Sequence, residues 1–177
     1  MILVPKLLAV VPIASGIVLW IIIIQRKLVV LDEDISNALS QIGVYLSGSF
    51  DALTAILEVT KNYDQNESEI LIKTIKHNRS IIIGKSKPDD VLFQEQIISD
   101  TLDKLAELTE KFPELKENQT YIKAMEAIQA FDNMVRTSTL MYNESVSRLN
   151  HKIQIFPVFV FAEMIHIRQR VCIIKQV

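Results

Sequence analysis

The sequence predicts an all-α protein: an N-terminal transmembrane helix followed by an up-and-down antiparallel four-helix bundle with two long and two short helices. Three observations predict it. Residues 7–24 read LLAVVPIASGIVLWIIII and contain no ionisable side chain. Beyond them, apolar residues recur at spacings of three and four, the period of a helix with one buried face. Four Gly and five Pro in 177 residues make helix breakers scarce, so long uninterrupted helices are expected.

The apolar run comes first. As a helix it would measure about 27 Å, close to the hydrocarbon thickness of a bilayer. Lys6 stands at one end and Gln25-Arg26-Lys27 at the other, with Trp20 within a turn of the second boundary, where an indole sits well among headgroups. A buried soluble helix would need a polar stripe, which is missing. A cleaved leader would end at small residues, and Ala14-Ser15-Gly16 stands too early for that. Pro12 is tolerable inside a span. Arg26 and Lys27 outnumber Lys6, which puts the short N-terminus outside and the bundle in the cytoplasm.

The first bundle helix carries the stripe Leu28, Leu31, Ile35, Ala38, Ile42, Tyr45, Ser49, Leu53, Ile56, Thr60 and Tyr63. No Pro separates it from the span, so the two are expected to be continuous. The polar stretch 62–66 should end it. A second helix is expected with Glu67, Leu71, Ile75, Asn78 and Ile82 on one face, closed by Gly84 in a left-handed C-terminal position and by Pro88. Ser86 or Asp89 would cap a third helix with Val91, Ile98, Leu102, Leu105, Leu108 and Phe112 inside, and Pro113 starts the next turn. The fourth helix has the cleanest pattern: Tyr121, Met125, Ile128, Phe131, Val135, Ser138, Tyr142, Val146, Leu149, Ile153 and Phe156. Short links make consecutive helices antiparallel neighbours. The long first and fourth helices would then extend past the short pair as a two-helix stalk toward the membrane. The chain divides accordingly into an anchor (1–27), a bundle (28–157) and an apolar and basic tail (158–177).

Together these stretches resemble the LemA family of bacterial membrane proteins. The resemblance rests on LVVLDEDISNALSQIGVYLSGSFDALTAILEVTKNY (28–63), NRSIIIGKSKPDDVLFQE (78–95), PELKENQTYIKAM (113–125) and MVRTSTLMYNESVSRLNHKIQIFP (134–157). Within them the matched features are Asp51-Ala52-Leu53, Lys61, Tyr63, Pro113-Glu114-Leu115-Lys116, Tyr142-Asn143, Asn150 and Phe156-Pro157. The resemblance implies an anchored four-helix bundle and brings no catalytic residues. The chain departs from the family pattern at Gly48-Ser49, where a basic residue is usual, and in its tail after Pro157.

Function is less legible than fold. A net charge of -2 argues against a nucleic-acid partner, which needs a concentrated basic surface. One cysteine, Cys172, precludes an internal disulfide framework, and His77, His151 and His166 lie on different segments, so neither metal nor cofactor is expected. Asp32-Glu33-Asp34 point about 100° apart on a helix and cannot converge on one ion; they read as a solvated face. No Gly-rich phosphate loop and no HExxH or Gly-x-Ser-x-Gly motif occurs, and an enzyme is not expected. Two groups of residues remain. Tyr142, Asn143 and Asn150 share a helix face and would either fix register against the first helix or recognise a partner. Phe159, Phe161, Arg168 and Arg170 in the tail would meet the bilayer surface, or the two phenylalanines would cap the stalk. The expected partners are the lipid bilayer, a membrane or cytoplasmic protein, and a second copy through the stalk. The leading expectation is a membrane-tethered interaction or scaffold protein. The alternative is a regulatory or accessory subunit of a membrane-bound enzyme such as a protease.

Overall fold

Among the described residues, five helices and one 3-10 turn follow in order: α1 (Leu3–Thr60), α2 (Gln65–Asn78), α3 (Pro88–Lys111), the turn Pro113–Glu117, α4 (Gln119–Ile153) and α5 (Val158–Met164). The structure is a computed structural model that describes residues 3–155, 158–164 and 167–174, with side chains from Ser15 onward except at 159–161. Among the described residues every regular element is helical. α1 and α4 are long, at 58 and 35 residues, and α2 and α3 are short, at 14 and 24.

α1 runs unbroken from the apolar segment into the charged body, as the absence of an intervening proline predicts. The expected span, 7–24, lies partly outside the described side chains. Among the described residues no helix is long and apolar enough to cross a membrane. Where α1 is described, Ile17, Val18, Leu19, Trp20, Ile22 and Ile23 are 43–62% exposed.

Two compact units partition the chain, one of Met1–Ile35 with Glu144–Val171 and one of Ser36–Asn143 with Cys172–Val177. In the first unit Leu28, Leu31 and Ile35 of α1, Val146, Leu149 and Ile153 of α4, and Ala162 of α5 are buried. In the second, one core draws on all four longer helices: Phe50, Leu53, Ile56 and Leu57 meet Ile72, Ile75, Ile97, Leu105, Ala124 and Ile128.

Polar pairs close the junctions of the second unit. Thr60 and Ser68, both fully buried, share a hydroxyl hydrogen bond of 2.7 Å between the end of α1 and the start of α2. Asp64 caps α2 by accepting from the Glu67 amide at 3.1 Å. Asn118 does the same for α4, accepting from the Thr120 and Tyr121 amides. Arg79 donates to the Asp51 carboxylate at 2.7 Å and lies 5.7 Å from the Phe50 ring centroid, tying the end of α2 to the C-terminal third of α1.

The second helix differs from expectation. It ends at Asn78, and residues 79–83 continue without helical structure. Ile82 is buried as its spacing suggested, yet it reaches the core from this irregular stretch, against Gly43 of α1. A Cβ at Gly43 would collide with the Ile82 carbonyl oxygen. Gly84, expected to cap α2, lies beyond that helix; a Cβ there would stand 2.7 Å from the Ser36 carbonyl oxygen. Both glycines are thus places of close backbone approach. The freed end of α2 is satisfied by Gln94 of α3, which is fully buried. Its amide donates to the Asn78 carbonyl at 3.0 Å and accepts from the Ser80 N–H at 2.9 Å. α3 starts at Pro88 rather than being capped by Ser86 or Asp89: the Asp90 carboxylate accepts from the Lys87 N–H at 2.8 Å. Phe131, predicted inside, is only half-buried; a Cβ at Gly48 would stand 2.5 Å from its ring, so the ring fills the space a side chain would take at that position.

Candidate functional site: a tail held by asparagine amides

Residues 167–174 form no helix, so their backbone groups need partners outside a helix or sheet. In the first unit the partner is Asn150 of α4. Its Nδ2 donates to the Arg170 carbonyl at 2.8 Å and its Oδ1 accepts from the Arg170 N–H at 3.0 Å. In the second unit Asn143 treats Ile173 identically, both bonds being 2.8 Å. A carboxamide presents one donor face and one acceptor face, as a peptide group does. Aspartate at either position would lose the donor and set a charge against a carbonyl.

Side chains add to each pairing. The Arg170 guanidinium donates to Asp32 Oδ1 from Nη2 at 2.8 Å and from Nε at 3.2 Å. Asp32 is therefore a tail contact rather than part of a solvated face; Glu33 and Asp34 remain exposed. Ile173 is buried at 3% exposure. Tyr142, beside Asn143, is buried at 2%. Arg168 is exposed, Phe159 and Phe161 lie in α5 with side chains outside the described set, and Phe156 and His166 lie outside it entirely. The sequence thus found both asparagines but not what they hold. Among the described residues what each grips is the main chain of the tail, which carries no signature in a side-chain pattern.

The sequence pattern of one family spans this arrangement: it matches residues 38–173, from the first buried turns of the second unit to the clamped Ile173. The chain belongs to the LemA family. A comparison with curated proteins finds no match. Asp51, matched in the LemA resemblance, is the carboxylate that Arg79 grips, and Asn143 and Asn150 are the two clamps.

Chemically, each asparagine holds an irregular stretch of main chain through one donor and one acceptor. Among the described residues no cluster of three or more His, Cys, Asp or Glu is placed for a metal ion. A cavity of about 310 Å³ in the second unit has an apolar floor that includes Leu46, Leu102 and Ile128, with Glu95 and Asp132 among its polar lining. Asn143→Ala removes two hydrogen bonds of about 0.5–1.5 kcal/mol net each. The Ile173 amide should then exchange with deuterium roughly tenfold faster or more, while the amides around Phe50 hold their rates. Unchanged exchange at Ile173 would show that the clamp does not hold the tail.

Proposed function

We propose that this LemA-family chain is a single-pass membrane protein whose helical body works by binding other proteins. The observation that carries the membrane half is the exposure of Ile17, Val18, Leu19, Trp20, Ile22 and Ile23. Neighbouring residues of a helix point about 100° apart, so this run is apolar on every side. A helix apolar all round fits a lipid surrounding and not a water-facing surface. Family membership supports the same reading, since LemA proteins are membrane proteins as a class. Arg26 and Lys27 at the body end of the run support a cytoplasmic body and an N-terminus outside.

The body is proposed to be an up-and-down four-helix bundle. The core shared by α1, α2, α3 and α4 supports this, as do the short connections after α1 and α3. A helical body on a tether, with a tail secured by main-chain clamps, suits presentation of a surface to partners. Photo-crosslinking in native membranes from exposed positions Ile81, Leu140 and Val171 tests it. Discrete adducts with a defined protein are expected from at least one of them. A body that crosslinks only to lipid and water at every position would remove the interaction reading.

A further inference from the structure

The second unit carries an open groove between α2 and α3. A cavity of about 640 Å³ lies over Leu71 of α2 and Ile97 of α3. It adjoins another of about 570 Å³, with Leu71 and Lys104 lining both. Two large apolar side chains stand at its lips: Ile70 is 62% exposed and Phe93 55%. The polar lining is one-sided in charge. Asp100, Asp103 and Glu107 on α3 and Glu67 on α2 face it, against Lys104 as the cation among the described lining residues, with Lys111 reaching Glu67 from outside the lining at 3.4 Å. Lys104 is itself held by Glu107 at 3.0 and 3.1 Å. Its pKa is raised, first by the Glu107 hydrogen bond and attraction and then by Glu67 and Asp103, which reports the negative field there.

We propose that this groove docks a basic amphipathic helix of a partner protein. The proposal deepens the interaction reading above and rests on it, naming the class of partner. An apolar stripe on the partner would cover Leu71, Ile70 and Phe93, while flanking Lys or Arg side chains meet the carboxylates. Helix-in-groove recognition takes this form, with anchors at i, i+3 or i+4, and i+7. α2 has 14 residues, about 21 Å, so the groove seats roughly four turns. Acidic helices and anionic headgroups meet like charge and are excluded.

The test uses the full chain in phosphatidylcholine nanodiscs, with empty nanodiscs as baseline. The probe is a fluorescein-labelled 18-residue Leu/Lys peptide with leucine on one helical face. Controls are a Leu/Glu peptide of the same spacing and a Leu/Lys peptide with the leucines scattered. Saturable binding of the first alone is expected, weakening as salt is raised. Phe93→Ser and the double change Asp100→Lys/Asp103→Lys should each weaken it at least tenfold. Both sites are exposed, and unchanged circular dichroism checks that the variants fold. Equal binding of the scattered peptide, no saturable binding, or indifference to Phe93→Ser would overturn the proposal. So would self-association of the chain that the same variants abolish, since the occupant would then be a second copy. If the peptide fails while crosslinks in native membranes persist, the groove proposal falls and the interaction reading stands.

Discussion

Phe50→Ala should cost the second unit about 3–5 kcal/mol of stability, the range for deleting a fully buried aromatic side chain. The ring is 1% exposed and sits in the core that joins four helices. Its loss leaves a cavity and also removes the surface over which the Arg79 guanidinium lies. Phe131→Ala should cost distinctly less, because that ring is half-buried over Gly48. Urea unfolding of the full chain in detergent, followed by helical circular dichroism, measures both. A loss below about 1 kcal/mol for Phe50→Ala, or a larger loss for Phe131→Ala, would mean that the core does not centre on Phe50.

The second large effect concerns the apolar run. Val18→Arg with Leu19→Arg should shift the chain from the carbonate-resistant membrane pellet to the soluble fraction. An arginine near the middle of a span opposes insertion by about 2.5–3.5 kcal/mol, so two oppose it by about 5–7 kcal/mol. These side chains are more than half exposed, so the change buries no charge in the described chain. The body should therefore stay folded while its partition changes. Retention of the double variant in the pellet would show that residues 17–23 do not anchor the chain.

The long elements were legible because their periodicity is long. Leu28, Leu31, Ile35, Ala38, Ile42, Leu53 and Ile56 are buried where the spacing put them, as are Ile128, Val135, Ser138, Tyr142, Val146, Leu149 and Ile153. The sequence drew the stripe on α1 too narrow, omitting Leu39, Leu46, Phe50 and Leu57, since α1 packs on more than one neighbour there. Residues 79–83 depart from the helix that the spacing predicts for a physical reason. Ile82 falls at helical spacing from Asn78, and nothing in the local pattern says that an irregular segment will bury it instead. The signal that could have shown it is the pair Gly43 and Gly84, each needed for backbone contact with a distant segment. Gln94 read as a polar residue on α3, but its amide substitutes for the next turn of α2.

The candidate site was half legible. Asn143 and Asn150 stand seven apart on α4, and that spacing singled them out. Their ligands, Arg170 and Ile173, stand three apart in the tail and are gripped by main chain, to which no residue type gives a clue. Asp32 looked solvated because it sits between acids on a polar stretch, and its partner Arg170 is 138 residues away.

Anchoring by α1 is the claim on which the rest depends, and labelling from within the bilayer tests it most directly. A lipid-soluble carbene precursor, activated by light in native membranes, reacts with whatever side chains face the acyl chains. The account predicts adducts on consecutive residues from Ile17 through Ile23, on every side of the helix, and none on Ile81 or Leu140 of the body. Adducts at only one face of that run, spaced by threes and fours, or no adducts at all, would contradict it.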